Sequence, residues 1–233
     1  MAEGGVNAAL GNVDPEDSWE AHFKDTVKGG AWINNQKLVE ILTKEAPERI
    51  LDLEEYGAVF DRTPEGKIVQ RPFGKQSYRR TCYASDRTGH EFMATLVEEV
   101  RRRDINIMEE IFVTNLLKTN NTVVGAFGIE YKTGDFLVFR AKATILAAGG
   151  TGRIYKITSN AAQDTGDGYA IGYRAGASLI DMEMFQFHPT GMVFPESARG
   201  RLVTEGVRGE GGILTNINNE PVSYTHLTLP TKA

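Results

Sequence analysis

The run Ala143–Ala148, reading ATILAA, carries no charge and stops abruptly at Gly149-Gly150. A short, largely apolar run bounded by glycine predicts a strand buried on both faces. Such a strand needs a sheet around it and layers above and below, so it constrains the fold more than any other stretch. From Ile105 to this run, β-branched and aromatic residues alternate, with a turn at Lys132-Thr133-Gly134-Asp135. The first half of the chain has the other period. SWEAHFKDTVKGG and NNQKLVEILTKEAPERILDLEEYG read as helices, the second with Leu38, Ile41, Leu42, Ile50 and Leu53 at helical spacing and Gly57 as its stop. Residues 58–83 read as an irregular, partly extended excursion with turns at Pro64-Glu65-Gly66 and Pro72-Phe73-Gly74. A further helix is expected from Gly89 to Arg102, where Arg101, Arg102 and Arg103 complement the carboxyl end of the helix dipole. Helices, then strands, then a buried strand predict an α/β fold with helices packed on a sheet.

Composition removes several function classes. The 233 residues are 41% hydrophobic, enough for one good core and the start of a second domain. A net charge of −5 offers no basic field for nucleic acid or an anionic membrane surface. No apolar run approaches the roughly 20 residues of a membrane span, and MAEGGVNAALGN lacks the basic start and apolar core of a signal peptide. Cys82 is the single cysteine, so neither an internal disulfide nor a cysteine metal site is expected, and a reducing, cytoplasmic setting fits. No metal ligand set stands out.

Two glycine patterns bear on ligands. Gly149-Gly150 at the end of a strand either lets a phosphate or flat ring approach the backbone, or makes a tight turn and nothing more. Gly166-Asp167-Gly168-Tyr169-Ala170-Ile171-Gly172 imitates a dinucleotide fingerprint but follows the polar SNAAQDT instead of a strand, so that reading is rejected. Asp167 then opens a helix, where its carboxylate either caps amides or accepts from a ligand hydroxyl. No acceptable GxGxxG occurs in the sequence.

His188, in FQFHPTG, precedes a proline that pushes it into extended backbone. By itself it is either a structural or a catalytic histidine. LVTEGVRGEGG then places Thr204, Glu205 and Arg208 within five positions among glycines. Packed beside His188, these residues would offer donors for a carboxylate and an acid–guanidinium pair able to pass a proton.

At these residues the sequence resembles the flavoprotein subunits of succinate dehydrogenase and fumarate reductase, with L-aspartate oxidase a close relative. The resemblance runs from Ala2 to about Glu220 through AEGGVNAALGN, RRTCYASDRTGH, ATILAAGGTGRIY, TGDG, DMEMFQFHPTG and LVTEGVRGEGG. It implies a Rossmann-like FAD-binding domain over residues 1–185, lacking its first strand–helix, and the opening of a capping domain over 186–220. It also implies that Ala2, Glu3, Gly4 and Gly5 lie along the flavin and that Val113 contacts the adenine end. Gly149 and Gly150 would lie close to FAD, and Asp167 at its ribityl chain. His188 and Thr204 would bind the dicarboxylate, and Glu205 and Arg208 form a proton relay. Hydride would pass between flavin N5 and a carbon of succinate or fumarate. Expected partners are iron–sulfur and membrane-anchor subunits, holding the protein on the cytoplasmic face of the membrane. The family's GxGxxG, covalent flavin histidine and catalytic arginine fall outside the sequence, so the chain alone is expected to be inactive. Residues 221–233, including His226, match no family element and read as foreign sequence. L-aspartate oxidase and a non-catalytic flavin-binding or interaction module remain alternatives.

Overall fold

The computed structural model describes residues 3–74 and 76–222. Ala2 and His226 therefore lie outside the described residues. Two compact units divide the chain: Met1–Ile105 with Phe185–Met192 and Leu202–Ala233, and Asn106–Met184 with Val193–Arg201.

In the first unit, helix α1 (Trp19–Gly29) starts where Ser18 accepts a hydrogen bond from the Ala21 amide at 3.3 Å. Helix α2 (Gln36–Glu55) starts at Asn35, which accepts from Leu38 N, and continues through Pro47. It ends at Tyr56, with Gly57 at φ 110° just beyond, as the sequence predicts. Helix α3 (Thr88–Arg102) ends in the predicted basic run, whose exposed arginines pair with Glu98 and Glu99.

The buried stripe of α2 is Val39, Thr43, Ala46 and Ile50. The predicted apolar positions Leu38, Ile41 and Leu42 are instead exposed, at 62, 45 and 59%. Both sets have helical spacing. Thr43 can enter the core because its hydroxyl donates to the Val39 carbonyl one turn back, so its polar atom costs little when buried. Ile50 joins Ala8, Ala46, Ala58, Phe60, Ile68 and Cys82 in the core, and Phe60 meets Phe92 edge-on at 5.7 Å. Burying a side chain of the size of Ile50 or Phe60 contributes about 1.5–3 kcal/mol.

A small antiparallel sheet crosses this core. Strand β1 (Val6–Asn7) and strand β2 (Gln70–Arg71) pair with the two edges of strand β3 (Thr81–Cys82). Immediately before β3, the Arg80 guanidinium is fully buried. It grips Asp17 with two hydrogen bonds, at 3.1 and 2.7 Å, and Asp25 of α1 with a third at 2.7 Å.

The second unit is built on a meander of β4 (Ile111–Thr119), β5 (Thr122–Glu130) and β6 (Phe136–Arg140), paired antiparallel in chain order. The predicted turn at 132–135 joins the last two. Helix α4 (Asp167–Arg174) is tied to β4 by Arg174, which donates to the Thr114 carbonyl at 2.7 Å, and by Lys118, which donates to the Ala175 carbonyl.

Ala143–Ala148 is not the doubly buried strand its composition predicts. It is extended but unassigned to any strand, every residue in it is exposed, and Ile145 is 92% accessible. A strand is buried on both faces only when neighbours pair with its edges and layers cover it, and among the described strands none pairs with this run. Helix and sheet are both present, so the mixed class stands, but every described ladder is antiparallel. Among the described residues no helix is long and apolar enough to cross a membrane.

Two consequences of burial can be measured. His22 on α1 is 5% exposed and its Nδ1 has no hydrogen-bond partner. Burial, reinforced by the Arg80 charge and opposed by Asp17 and Asp25, lowers its pKa from 6.5 to about 4. Between these values the unfolded chain binds the extra proton, so stability is full above pH 6.5 and declines as pH falls toward about 4. Chemical denaturation at stepped pH should show that decline, and His22→Leu should flatten it. Cys82 is fully enclosed, and burial pushes its thiol up to about 12. A chromogenic disulfide reagent at about pH 8, well below that value, should therefore leave it unmodified until denaturant is added.

Candidate active site

The two charged segments singled out in the sequence meet inside the first unit. An isolated bridge pairs Gly191 with Leu202, and Val203 N donates to the Thr190 carbonyl at 3.0 Å, so HPTG and LVTEG run side by side. Helix α5 (Glu205–Gly209) then begins at Thr204, whose hydroxyl oxygen accepts from the Gly206 amide at 3.3 Å.

Thr190 is the centre of the cluster, and reading His188 and Thr204 as the binding pair overlooks it. It is 8% exposed. Its hydroxyl donates to the Val203 carbonyl at 2.7 Å and accepts from Arg208 Nη1 at 2.6 Å. Its amide donates to His188 Nδ1 at 3.3 Å. Because the hydroxyl proton is committed to Val203, the 3.4 Å contact between Thr190 Oγ1 and the imidazole is not a second donor bond to that ring. Arg208 Nη2 lies 3.8 Å from Glu205 Oε1, an ion pair that is too long for a hydrogen bond. The signal for Thr190 was present in the sequence as a hydroxyl two residues beyond a histidine and one before a glycine.

These bonds define the chemistry of His188. The half-buried ring has its pKa lowered by burial first and by the Arg208 charge second, with Glu205 opposing. It is therefore neutral at neutral pH. With Nδ1 accepting the Thr190 amide, the proton sits on Nε2, which makes that atom a hydrogen-bond donor for an anionic or carbonyl oxygen.

A second overlooked residue is Arg71. Its guanidinium lies over the Tyr83 ring at 4.1 Å and the Phe73 ring at 5.1 Å, donates to the Gly4 carbonyl, and keeps a buried Nε without a partner. The turn that follows packs on α5. A Cβ on Gly209 would stand 3.0 Å from the Pro72 carbonyl oxygen, and one on Gly74 3.5 Å from Glu205 Oε1. A Cβ on Gly4 would stand 2.8 Å from the Phe73 ring. Gly4, the Arg71–Gly74 turn and the Glu205–Arg208 helix thus form one continuous stack. Glu3 joins at its edge, its carbonyl accepting from Thr88 Oγ1 at 3.4 Å.

The remaining predicted cofactor residues belong to the second unit. Val113 is part-buried on β4 opposite Gly128. Gly149 takes φ 73°, a left-handed conformation suited to glycine, and a Cβ on Gly150 would meet nothing within 4 Å. That open space fits a group that must come against bare backbone, so the glycine pair suits FAD. Asp167 is the first residue of α4 after Gly166 at φ 85°. Its carboxylate does not cap the helix. It accepts from the Thr165 hydroxyl and retains acceptor capacity for another donor.

Thr190→Val keeps the shape of the side chain while leaving the Arg208 guanidinium and the Val203 carbonyl short of a partner. Lost bonds of this kind cost about 1–3 kcal/mol. Denaturant titration should show that loss for Thr190→Val and most of it recovered in Thr190→Ser; an unchanged midpoint would mean the cluster is not formed in solution.

Over residues 1–221 the sequence matches the FAD binding domain family. It is 60% identical over 220 residues to the flavoprotein-type subunit named for fumarate reductase (CoM/CoB) in Methanothermobacter marburgensis, covering 94% of this chain and 40% of the relative. It is 44% identical over 227 residues to the succinate dehydrogenase flavoprotein subunit of Rickettsia bellii, covering 94% and 37%. Among solved structures, Mycobacterium smegmatis Sdh1 in complex with UQ1 superposes with a TM-score of 0.82 at 47% identity, covering 94% of this chain and 39% of that one. The chain thus spans about two fifths of the length of the relatives it matches. With its glycines, diacid-type donors and acid–guanidinium pair in place, this chain belongs to the FAD-binding domain family, in its branch of succinate dehydrogenase and fumarate reductase flavoproteins.

Proposed function

We propose that the full-length protein containing this chain interconverts fumarate and succinate. The observation that carries this reading is the hydrogen-bonded cluster of His188, Thr190, Glu205 and Arg208. Bound FAD supplies the centre that accepts or delivers hydride. Glu3, Gly4 and Gly5 of the first unit, preceded by Ala2, line it, and Val113, Gly149, Gly150 and Asp167 of the second unit help to hold it. His188 Nε2–H donates to one substrate carboxylate. Thr204 gives its hydroxyl proton to the same diacid, since its oxygen already accepts the Gly206 amide. An arginine has an ordinary pKa above about 12 and exchanges protons only with help, and Glu205 beside Arg208 provides that help. The greater identity to a protein named fumarate reductase favours the reductive direction. Residues 186–220 open the substrate-side domain beyond the FAD-binding residues 1–185. Relatives named as subunits favour iron–sulfur and membrane-anchor partners, which would hold the protein peripherally on the cytoplasmic face.

The test uses the full-length protein with a dye as electron acceptor or, reduced, as donor. Succinate oxidation and fumarate reduction are expected, and His188→Ala should reduce kcat/KM by about 10²-fold or more, the scale of losing a charge-assisted donor together with its positioning. Oxidation of L-aspartate in place of succinate would make the protein an aspartate oxidase. FAD binding without turnover of either would make it a non-catalytic flavin module.

A further inference from the structure

The Arg80 network has no place in the reaction as described, yet it is the most deeply buried charge in the first unit. Arg80 is 0% exposed and the Asp17 side chain 1%. Nε and Nη2 of the arginine meet the two oxygens of Asp17, and Nη1 meets Asp25, so the fork is fully used. Asp25 is itself held by the amide and hydroxyl of Ser77, at 2.8 and 2.7 Å. Next to it, Arg79 is held by Asp14. Three acids from the segment before and within α1 thus fix the two residues that lead into β3.

β3 in turn fixes Gly4 and Gly5. The Arg80 carbonyl accepts from the Ala8 amide at 2.9 Å, and β1 pairs Val6 with Cys82 and Asn7 with Thr81. Gly5, at φ 147°, lies so close to β3 that a Cβ would stand 2.6 Å from Thr81 Cγ2 and 2.7 Å from the Cys82 carbonyl oxygen. On its far edge β3 pairs with β2, whose Arg71 donates to Gly4. Both holds on the Gly4–Gly5 segment therefore lead back to β3, and β3 is anchored through Arg80.

We propose that Arg80 is a positioning residue for the flavin: its buried fork on Asp17 and Asp25 sets the height of Gly4 and Gly5 against the cofactor. This rests on the reading of those glycines as flavin-lining. A structural ion pair would affect stability alone, because replacing a buried pair with apolar groups of similar size is often neutral or stabilising. A positioning pair affects rate as well, since a shift of about an ångström at a reacting group costs up to about 10²-fold.

The experiment uses the full-length flavoprotein with its FAD and the double variant Asp17→Leu/Arg80→Met, with Arg80→Lys as a milder companion. The expected result is a folded protein whose kcat falls about 10- to 100-fold with KM for the diacid within about twofold, and whose flavin midpoint potential is displaced. Parental kcat and potential in a folded variant would overturn the proposal. If neither variant folds, the network is a stability element and the proposal is likewise lost. Gly5→Val separates this from the reading beneath it. If Gly5→Val leaves the potential unchanged, the flavin-lining assignment fails and the Arg80 role fails with it. If Gly5→Val displaces the potential and the Arg80 variants do not, only the Arg80 role is lost.

Discussion

An arginine with no exposed surface demands that its charge be answered inside the protein. Arg80 obtains that answer from Asp17 and Asp25, 63 and 55 positions earlier in the sequence, and this requirement brings the start of α1 against the start of β3. Desolvating such a group costs several kcal/mol, recovered only when every guanidinium proton has a well-placed acceptor. The arrangement therefore admits little slack. From β3 the order spreads outward, to β1 and the glycines before it on one side and to β2, Arg71 and the Phe73 turn on the other.

The site cluster handles charge differently. His188 sits close enough to Arg208 that a second positive charge is disfavoured, and burial acts in the same sense. One fixed cation and one neutral donor result, an arrangement that suits an anionic ligand without the repulsion of two cations side by side. Thr190 makes this possible by engaging both groups with different atoms, the amide toward the ring and the hydroxyl toward the guanidinium. Gly206, buried near Arg71 and Asp86, lets the short helix carrying Glu205 and Arg208 come close to the Arg71–Gly74 turn.

Much of this was legible from residue order alone. Gly57 ends α2, the meander begins and turns where period-two alternation and the Thr133-Gly134 turn place it, and the HPTG and TEGVRG segments lie side by side. What failed has specific causes. Hydropathy ranks Leu38, Ile41 and Leu42 above Thr43, but a hydroxyl that bonds its own helix backbone enters the core readily, and the stripe rotates with it. Composition predicted burial for Ala143–Ala148, yet burial belongs to a strand and its neighbours together, and none of the described strands pairs with this one. Thr190 and Arg71 were missed because each acts through atoms whose partners are distant in sequence: Arg208 is 18 positions from Thr190, and Gly4 is 67 from Arg71.

The hydroxyl at the centre of the cluster has one last consequence. Thr190 hands its only hydrogen to a peptide oxygen, and a peptide oxygen has no use for a further one. For a proton departing Arg208 in the proposed reaction, that direction is a cul-de-sac. The carboxylate of Glu205 is the acidic exit beside the guanidinium, so traffic through Arg208 is steered to one side, with the direction written by a residue that never ionises.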